Sequence, residues 1–326
     1  MQPLAGTLVV DFTRYLPGAF ASRELHRLGA RVVRVEAPEG DPMRETAPTW
    51  DAAFRAGTES VVCDLRSDAT FARALCARSD VVLESFRPGV ATRLGIGPDD
   101  VPDSVVYCSI TGFGPAGIHA SRAGHDLNYL GWAGALADTS PALPPVQVAD
   151  LAAGALGAVT SVLAALLERR DSGKGARLAV SMTHGAHDLA RHRVEGDPLP
   201  RFLTGGLACY RIYATSDGRH LTVAALEPKF FVRLCELIGR ADLAERQYGE
   251  DQDALGAELE AIFAGRRLDE WLARFDGEDV CVGPVWTLAE AATAFGSPAI
   301  GDEVPLGAHT SSWRLELGLD QVRTEA

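Results

Sequence analysis

Short apolar runs and amphipathic stretches alternate through the first half of the chain. Residues 8–11, 32–36, 61–65, 81–84 and 105–110 are brief runs rich in valine, the pattern of strands buried on both faces. Residues 19–28 and 69–77 carry helical spacing between them. Strand, helix and strand in succession imply parallel pairing through right-handed crossovers, so the first half predicts a doubly wound, Rossmann-like α/β domain. The longest apolar run, 151–167, includes Thr160, Ser161 and two glycines and reads as a buried helix rather than a membrane span. It extends to about residue 170, where Ser172-Gly173-Lys174-Gly175 supplies a stop.

A strand over 177–182 follows, and the pattern then weakens. Charge and two prolines across 191–200 predict a linker. Beyond it, residues 210–214 and 220–224 alternate around Ser216-Asp217-Gly218, a hairpin signal. Helical spacing returns at 230–238, 255–263 and 268–275, where Leu268, Trp271, Leu272 and Phe275 share one face. The organisation expected is a large domain over 1–185, a linker over 186–204 and a small α+β domain over 205–296. The polar last stretch is expected to fray.

With 326 residues, 47% of them apolar, the chain can bury two cores without disulfides or metals. A net charge of −13 with no block of five basic residues argues against nucleic acid or an anionic membrane as partner. A few arginines in one cleft still suffice to hold a phosphorylated metabolite. Six cysteines without a C-x-x-C pair read as buried, reduced thiols. The first residues lack the basic and apolar regions of a signal peptide, which makes the cytoplasm the expected location.

Gly112-Phe113-Gly114-Pro115-Ala116-Gly117 matches G-x-G-x-x-G after a strand, but Pro115 and the polar stretch to Arg122 predict no helix to complete a dinucleotide site. The first strand–helix turn, residues 11–18, lacks the glycines of such a site, although Glu36 stands where a ribose-binding acid would. His184, His187 and Asp188 have no third ligand at a recognisable spacing and read as surface groups. No G-x-S-x-G elbow is present. Three ionisable residues carry two readings each. Asp150 precedes the apolar helix and is either a helix cap or a buried acid. Glu227 precedes Pro228 and is either a cap or a functional carboxylate. His125 is either a loop histidine or a base.

Gly124-His125-Asp126-Leu127-Asn128-Tyr129 resembles the active-site segment of α-methylacyl-CoA racemases, and Ala149-Asp150-Leu151-Ala152-Ala153-Gly154 resembles the aspartate motif shared with class III CoA-transferases. Pro3-Leu4-Ala5-Gly6, Glu84-Ser85-Phe86-Arg87-Pro88-Gly89-Val90, Arg93-Leu94-Gly95, Leu226-Glu227-Pro228-Lys229 and Asp279-Val280-Cys281-Val282-Gly283-Pro284 match family signatures in order. The resemblance spans about residues 3–290 and identifies a member of the CaiB/BaiF family (CoA-transferase family III), with His125 pointing to the racemase branch. It implies an interlocked homodimer in which residues 297–326 return to the large domain. It also implies an acyl-CoA thioester as substrate, no cofactor beyond the coenzyme A of that substrate, and no nucleic-acid or membrane partner.

The activity so implied is epimerisation of 2-methylacyl-CoA by 1,1-proton transfer, with His125 and Asp150 as base and acid on opposite faces of an enolate and Glu227 orienting the imidazole. For coenzyme A the resemblance implies a slot at Asp64, Leu65, Arg66 and Ser67 with Arg87 and Arg93 nearby. Gly124, Asp126, Leu127, Asn128 and Tyr129 would then surround the thioester. Ala37 stands where racemases often carry arginine, so that phosphate contact is either missing or taken over by Arg34. Ala152-Ala153 replace the usual glycines and would crowd the thioester. Competing readings are transfer of CoA through an aspartyl-CoA anhydride on Asp150, elimination across the α,β bond, and a CoA-ester-binding protein without catalysis. The acyl group leaves no mark in these motifs.

Overall fold

The computed structural model describes residues 1–194, 202–297 and 301–320. Two compact units are present, one formed by residues 1–191 with 299–326 and the other by 192–298.

In the first unit the chain runs β1 (Leu8–Asp11), α1 (Tyr15–Arg27), β2 (Arg31–Glu36), α2 (Met43–Thr46), α3 (Pro48–Arg55), β3 (Glu59–Val62), α4 (Ala69–Arg78), β4 (Val81–Glu84), α5 (Val90–Arg93), β5 (Val106–Thr111) and α6 (Asp126–Trp132). A π-helical segment, Ala149–Leu156, leads directly into α7 (Gly157–Ser172), and β6 (Arg177–Ser181) and α8 (Met182–Leu189) follow. All six strands are parallel, in the order β3-β2-β1-β4-β5-β6. Alternate side chains of each strand face opposite ways. Val9, Val32, Leu83 and Cys108 meet the apolar face of α1, the π segment, α7 and α8, whereas Val10, Val33, Val82 and Tyr107 meet α4. Both faces are therefore covered, as a parallel sheet requires.

The helix that begins at Tyr15 starts earlier than the pattern predicts, because Pro17 and Gly18 lie in its first turn and are buried there. Helix α8 and the short α9 (Arg191–Val194) occupy the start of the stretch expected to be linker; within the remainder, 195–201 lies outside the described residues. The apolar signal of α8 is thin because it turns only Met182 and Ala186 inward, and Gly185 lets it approach Ala153 so closely that an added Cβ would stand 2.8 Å from that side chain. The single apolar helix expected over 151–170 is π-helical in its first part, and its small residues lie buried in the core of this unit. All six cysteines are free thiols, five buried and Cys281 half-buried.

The second unit holds an antiparallel sheet of β7 (Tyr210–Ala214), β8 (His220–Ala224) and β9 (Val282–Pro284). Helices α10 (Pro228–Leu237), α11 (Gln252–Phe263), α12 (Leu268–Phe275) and α13 (Leu288–Phe295) accompany it. The expected hairpin turns at Gly218, whose φ of 72° is open to glycine without strain. Leu268, Trp271 and Phe275 are buried on one face of α12.

Past this unit, residues 301–320 belong with the first and end in α14 (Thr310–Glu316). This segment covers the edge strand β3. His309 N–H donates to the Ser60 carbonyl at 2.9 Å, and Val62 N–H donates to Thr310 Oγ1 at 2.9 Å. Trp313 is fully buried, donates to the Glu59 carboxylate, and lies 4.1 Å beneath the Arg31 guanidinium. An exposed strand edge is thereby closed to other chains. Trp313→Ala is expected to lower the stability of the first unit by about 3–5 kcal/mol, read by urea denaturation; a loss under about 1 kcal/mol would show that the cover contributes little.

Candidate active site

Where the strand order turns back, between β1 and β4, the loops that leave the C-terminal strand ends diverge and open a crevice. Two cavities lie there. One, of about 350 Å³, is lined by the ends of β1, β4 and β5 and includes Tyr15, Arg87, Arg122, His125 and Asp150. The other, of about 500 Å³, lies toward β2 and β3 and includes Ala37, Asp64, Leu65 and Arg66. Arg14 and Phe86 line both.

His125 sits at the start of α6 in extended conformation, and its backbone N–H is held by the Asn128 side chain at 3.1 Å. Asp126, the next residue, turns away from the cavity and accepts the backbone N–H of Asp150 at 2.9 Å. This bond ties the start of α6 to the π segment and brings the imidazole and the Asp150 carboxyl to one cavity. Gly124 has no room for a side chain, since a Cβ would stand 2.8 Å from the Tyr129 ring, and Tyr129 Oη donates back to the Gly124 carbonyl at 2.5 Å.

Asp150 is not a helix cap. Val148 holds that position, and Asp150 lies inside the π segment as a residue only 9% exposed, its Oδ1 buried without any hydrogen-bond partner. The wider π turn is a frequent device for aiming a side chain at a site. Burial, together with the neighbouring Asp126 charge, pushes the Asp150 carboxyl up to about 7. At neutral pH it is populated both as an acid and as a base.

Tyr15 stands across from the imidazole, with ring centroids 6.2 Å apart and nearly perpendicular. It is the one described non-glycine residue with positive φ, 64°, and its N–H donates to Asp41 Oδ2 at 3.2 Å. Asp41 in turn lies 3.6 Å from both Arg34 and Arg55, and all three side chains are buried. Arg34 is therefore no phosphate ligand. It lies beneath the sheet end between Asp11, at 3.7 Å, and Asp41, and lines neither cavity. The strand alternation explains this, because Arg34 points opposite to Val33 and Val35 into the space below the first loop. Glu36, although it reaches the second cavity, is committed to Arg44 at 2.8 Å and Ser60 at 2.7 Å. Burial opposes its ionisation, but the Arg44 hydrogen bonds and the Arg55 charge hold it at about 2.

Of the residues expected at the coenzyme, Asp64, Leu65 and Arg66 line the second cavity, while Ser67 bonds to Asp64 at 2.8 Å and lines neither. Arg87 lines the first; Arg93, on α5, is exposed and lines neither, although Val90 of the same helix lines the second. Around the imidazole, Gly124 and Tyr129 are lining residues, whereas Asp126, Leu127 and Asn128 are not. Ala153 packs in the core, and neither it nor Ala152 lines the cavity of His125. Glu227 belongs to the second unit, where it is exposed and precedes α10 without capping it through its side chain. His184 Nδ1 bonds Ser181 Oγ at 2.7 Å and His187 Nδ1 meets the Ala133 carbonyl at 2.9 Å. The pattern gave no notice of Arg14, Tyr15 and Arg122, although their place just past strands β1 and β5 is where open parallel sheets carry ligand groups.

The doubly wound unit thus places an imidazole and a protonatable carboxyl together at its switch point. The pattern of CoA-transferase family III matches residues 4–300, and the chain belongs to that family. It is 33% identical over 308 residues to the α-methylacyl-CoA racemase of Mus musculus, covering 88% of this chain and 79% of that one. A probable fatty acyl-CoA transferase of Mycobacterium tuberculosis is 32% identical, over 95% of this chain and 89% of its own length. The crystal structure of a CaiB/BaiF family protein from Brucella suis superposes with a TM-score of 0.81 at 28% identity, covering 97% of this chain and 99% of that one.

The raised carboxyl has a stability consequence. Asp150 takes up a proton on folding at pH values between its unfolded range, near 4, and about 7, so its contribution is present below the former and is lost as pH rises through the latter. Asp150→Asn, which cannot ionise, should gain stability over wild type progressively from pH 4 to 7, by up to about 4 kcal/mol, and hold that gain above. Equal pH profiles by thermal denaturation would contradict an elevated carboxyl.

Proposed function

We propose that this enzyme epimerises 2-methylacyl-CoA thioesters by 1,1-proton transfer. The observation that carries the reading is that His125 and Asp150 line one cavity while Asp150 is balanced near neutrality. A racemase must start each turnover in either direction, so each of its two groups has to serve as donor and as acceptor at the same pH. Neutral His125 takes the α-proton while protonated Asp150 returns one to the other face; the reverse direction uses aspartate and imidazolium. The adenosine end of the coenzyme occupies the slot at Asp64, Leu65 and Arg66, and the diphosphate passes Arg14 and Arg87. Glu227 keeps the orienting role that the family pattern implies. The enzyme acts as a homodimer.

Asp150 also suits the alternative in which it attacks the thioester and passes CoA to a second acid, a reaction that needs no imidazole at position 125. Deuterium uptake at the α-carbon from heavy water, measured on separate (R)- and (S)-2-methylacyl-CoA, separates the two. Wild type is expected to exchange with inversion. His125→Ala and Asp150→Asn are each expected to lose about 10²–10⁴-fold, and Glu227→Gln less. Full acceptor-dependent CoA exchange in His125→Ala, with no α-exchange in wild type, would establish the transferase instead.

A further inference from the structure

Tyr15 carries backbone strain for which the fold shows no return. Its φ of 64° is the one left-handed value among the described non-glycine residues, a conformation costly for a bulky side chain and free to glycine. Packing does not repay the strain, because the residue is 48% exposed. The phenol does not repay it either, since its hydroxyl makes no hydrogen bond among the described residues. The bond that seats the residue runs from its backbone N–H to Asp41 Oδ2 at 3.2 Å, and glycine would make it equally well.

What the side chain adds lies in the cavity that it lines together with His125 and Asp150. Its ring stands 6.2 Å from the imidazole with the planes at 86°, the edge-to-face arrangement that aromatic pairs favour. No other ring contact to His125 occurs among the described residues. His125 is itself exposed, and an exposed imidazole turns among several rotamers unless a neighbour bounds it. A base that takes a proton from carbon needs one placement, since an error of about 1 Å costs on the order of 10²-fold in rate. The buried Asp41, 3.6 Å from both Arg34 and Arg55, holds the backbone of Tyr15 in its left-handed form. That backbone directs the ring, and the ring bounds the imidazole.

We propose that Tyr15 is a positioning residue for His125, kept as tyrosine at the cost of strain because its ring holds the imidazole where proton transfer requires it. This rests on the reading of His125 as a proton-transferring group and adds the residue that places it. Glu227 sets the tautomer in that reading, and Tyr15 sets where the ring lies.

Full-length Tyr15→Gly and Tyr15→Phe test it. Tyr15→Gly removes ring and strain together, and should raise the melting temperature by about 2–4 °C. The same variant should lower kcat for α-deuterium exchange about 10–100-fold, with KM within about threefold of wild type. Tyr15→Phe keeps the ring and should retain kcat to within about threefold. In NMR spectra of histidine-labelled protein, the His125 ring resonance, identified by its absence from His125→Ala, should shift and broaden in Tyr15→Gly but not in Tyr15→Phe. An unchanged kcat in Tyr15→Gly overturns the proposal. So does a melting temperature that falls together with kcat, which would make the ring a structural support. A loss in Tyr15→Phe as large as in Tyr15→Gly would assign the role to the hydroxyl and overturn it as well. If wild type exchanges no α-proton, the racemase reading falls by itself and the resonance decides: a His125 signal identical in wild type and Tyr15→Gly overturns the positioning, and a shifted one sustains it.

Discussion

A parallel sheet that reverses its strand order has to leave one pair of C-terminal strand ends uncovered, because the connection from one strand winds over one face and that from its neighbour over the other. Here that pair is β1 and β4. Most of the cavity's polar groups lie on loops at that pair or on the loop of the adjoining strand: Arg14 and Tyr15 after β1, Arg87 after β4, Arg122 and His125 after β5. The carboxyl arrives differently, from the helix that leads down to β6. Its approach depends on small residues, since Gly154 and Gly185 allow the π segment and α8 to pack more closely than side chains would permit. The single bond from Asp150 N–H to Asp126 then fixes the carboxyl relative to the imidazole next in sequence to Asp126.

Beneath the first loop lies a costly arrangement. Arg34 and Arg55 are both about 1% exposed, and several of their nitrogens have no hydrogen-bond partner. Burying two like charges is unfavourable, and the Arg55 guanidinium is indeed held below its ordinary range by burial and by Arg34. Asp11, Asp41, Glu36 and Asp51 offset the charge from all sides. The result is a rigid seat for Asp41, and through it for the left-handed backbone of Tyr15. Strain of this kind persists only where the surroundings over-determine it. The cluster therefore works as a scaffold for the loop beside the imidazole, which accounts for arginines placed where no phosphate reaches.

The sheet was legible in sequence because valine-rich runs with helices between them admit few other arrangements. Trp271 and Phe275 declared the helix of the second unit in the same way, through spacing. What escaped notice lacked an apolar period. Helices α2, α3 and α5 are short, and α8 turns only two apolar side chains inward. The edge-covering α14 is amphipathic around a single buried tryptophan. At the site, motif resemblance located His125 and Asp150, but resemblance assigns a role and not a surrounding. It placed Arg34 at a phosphate because the arginine neighbours a family position, whereas the strand alternation sends that side chain below the sheet. It left Asp150 with two readings, cap or acid, since both need a carboxylate at the same place in the chain.

The field of a helix start favours an ionised carboxylate, which would bind substrate charge well but could not return a proton at neutral pH. Folding residues 149–156 as a π segment, with the carboxyl buried and its Oδ1 unpartnered, removes the first-turn N–H groups as partners and lets desolvation set the protonation state. Placing Asp126 behind it adds a second negative charge in the same direction. The carboxylate that joins two segments of the fold also favours a proton on its neighbour, adding to the larger effect of burial, so one contact bears on both the placement and the acidity of Asp150. That coupling explains why the acid is read in the structure through its surroundings rather than through any feature of its own sequence position.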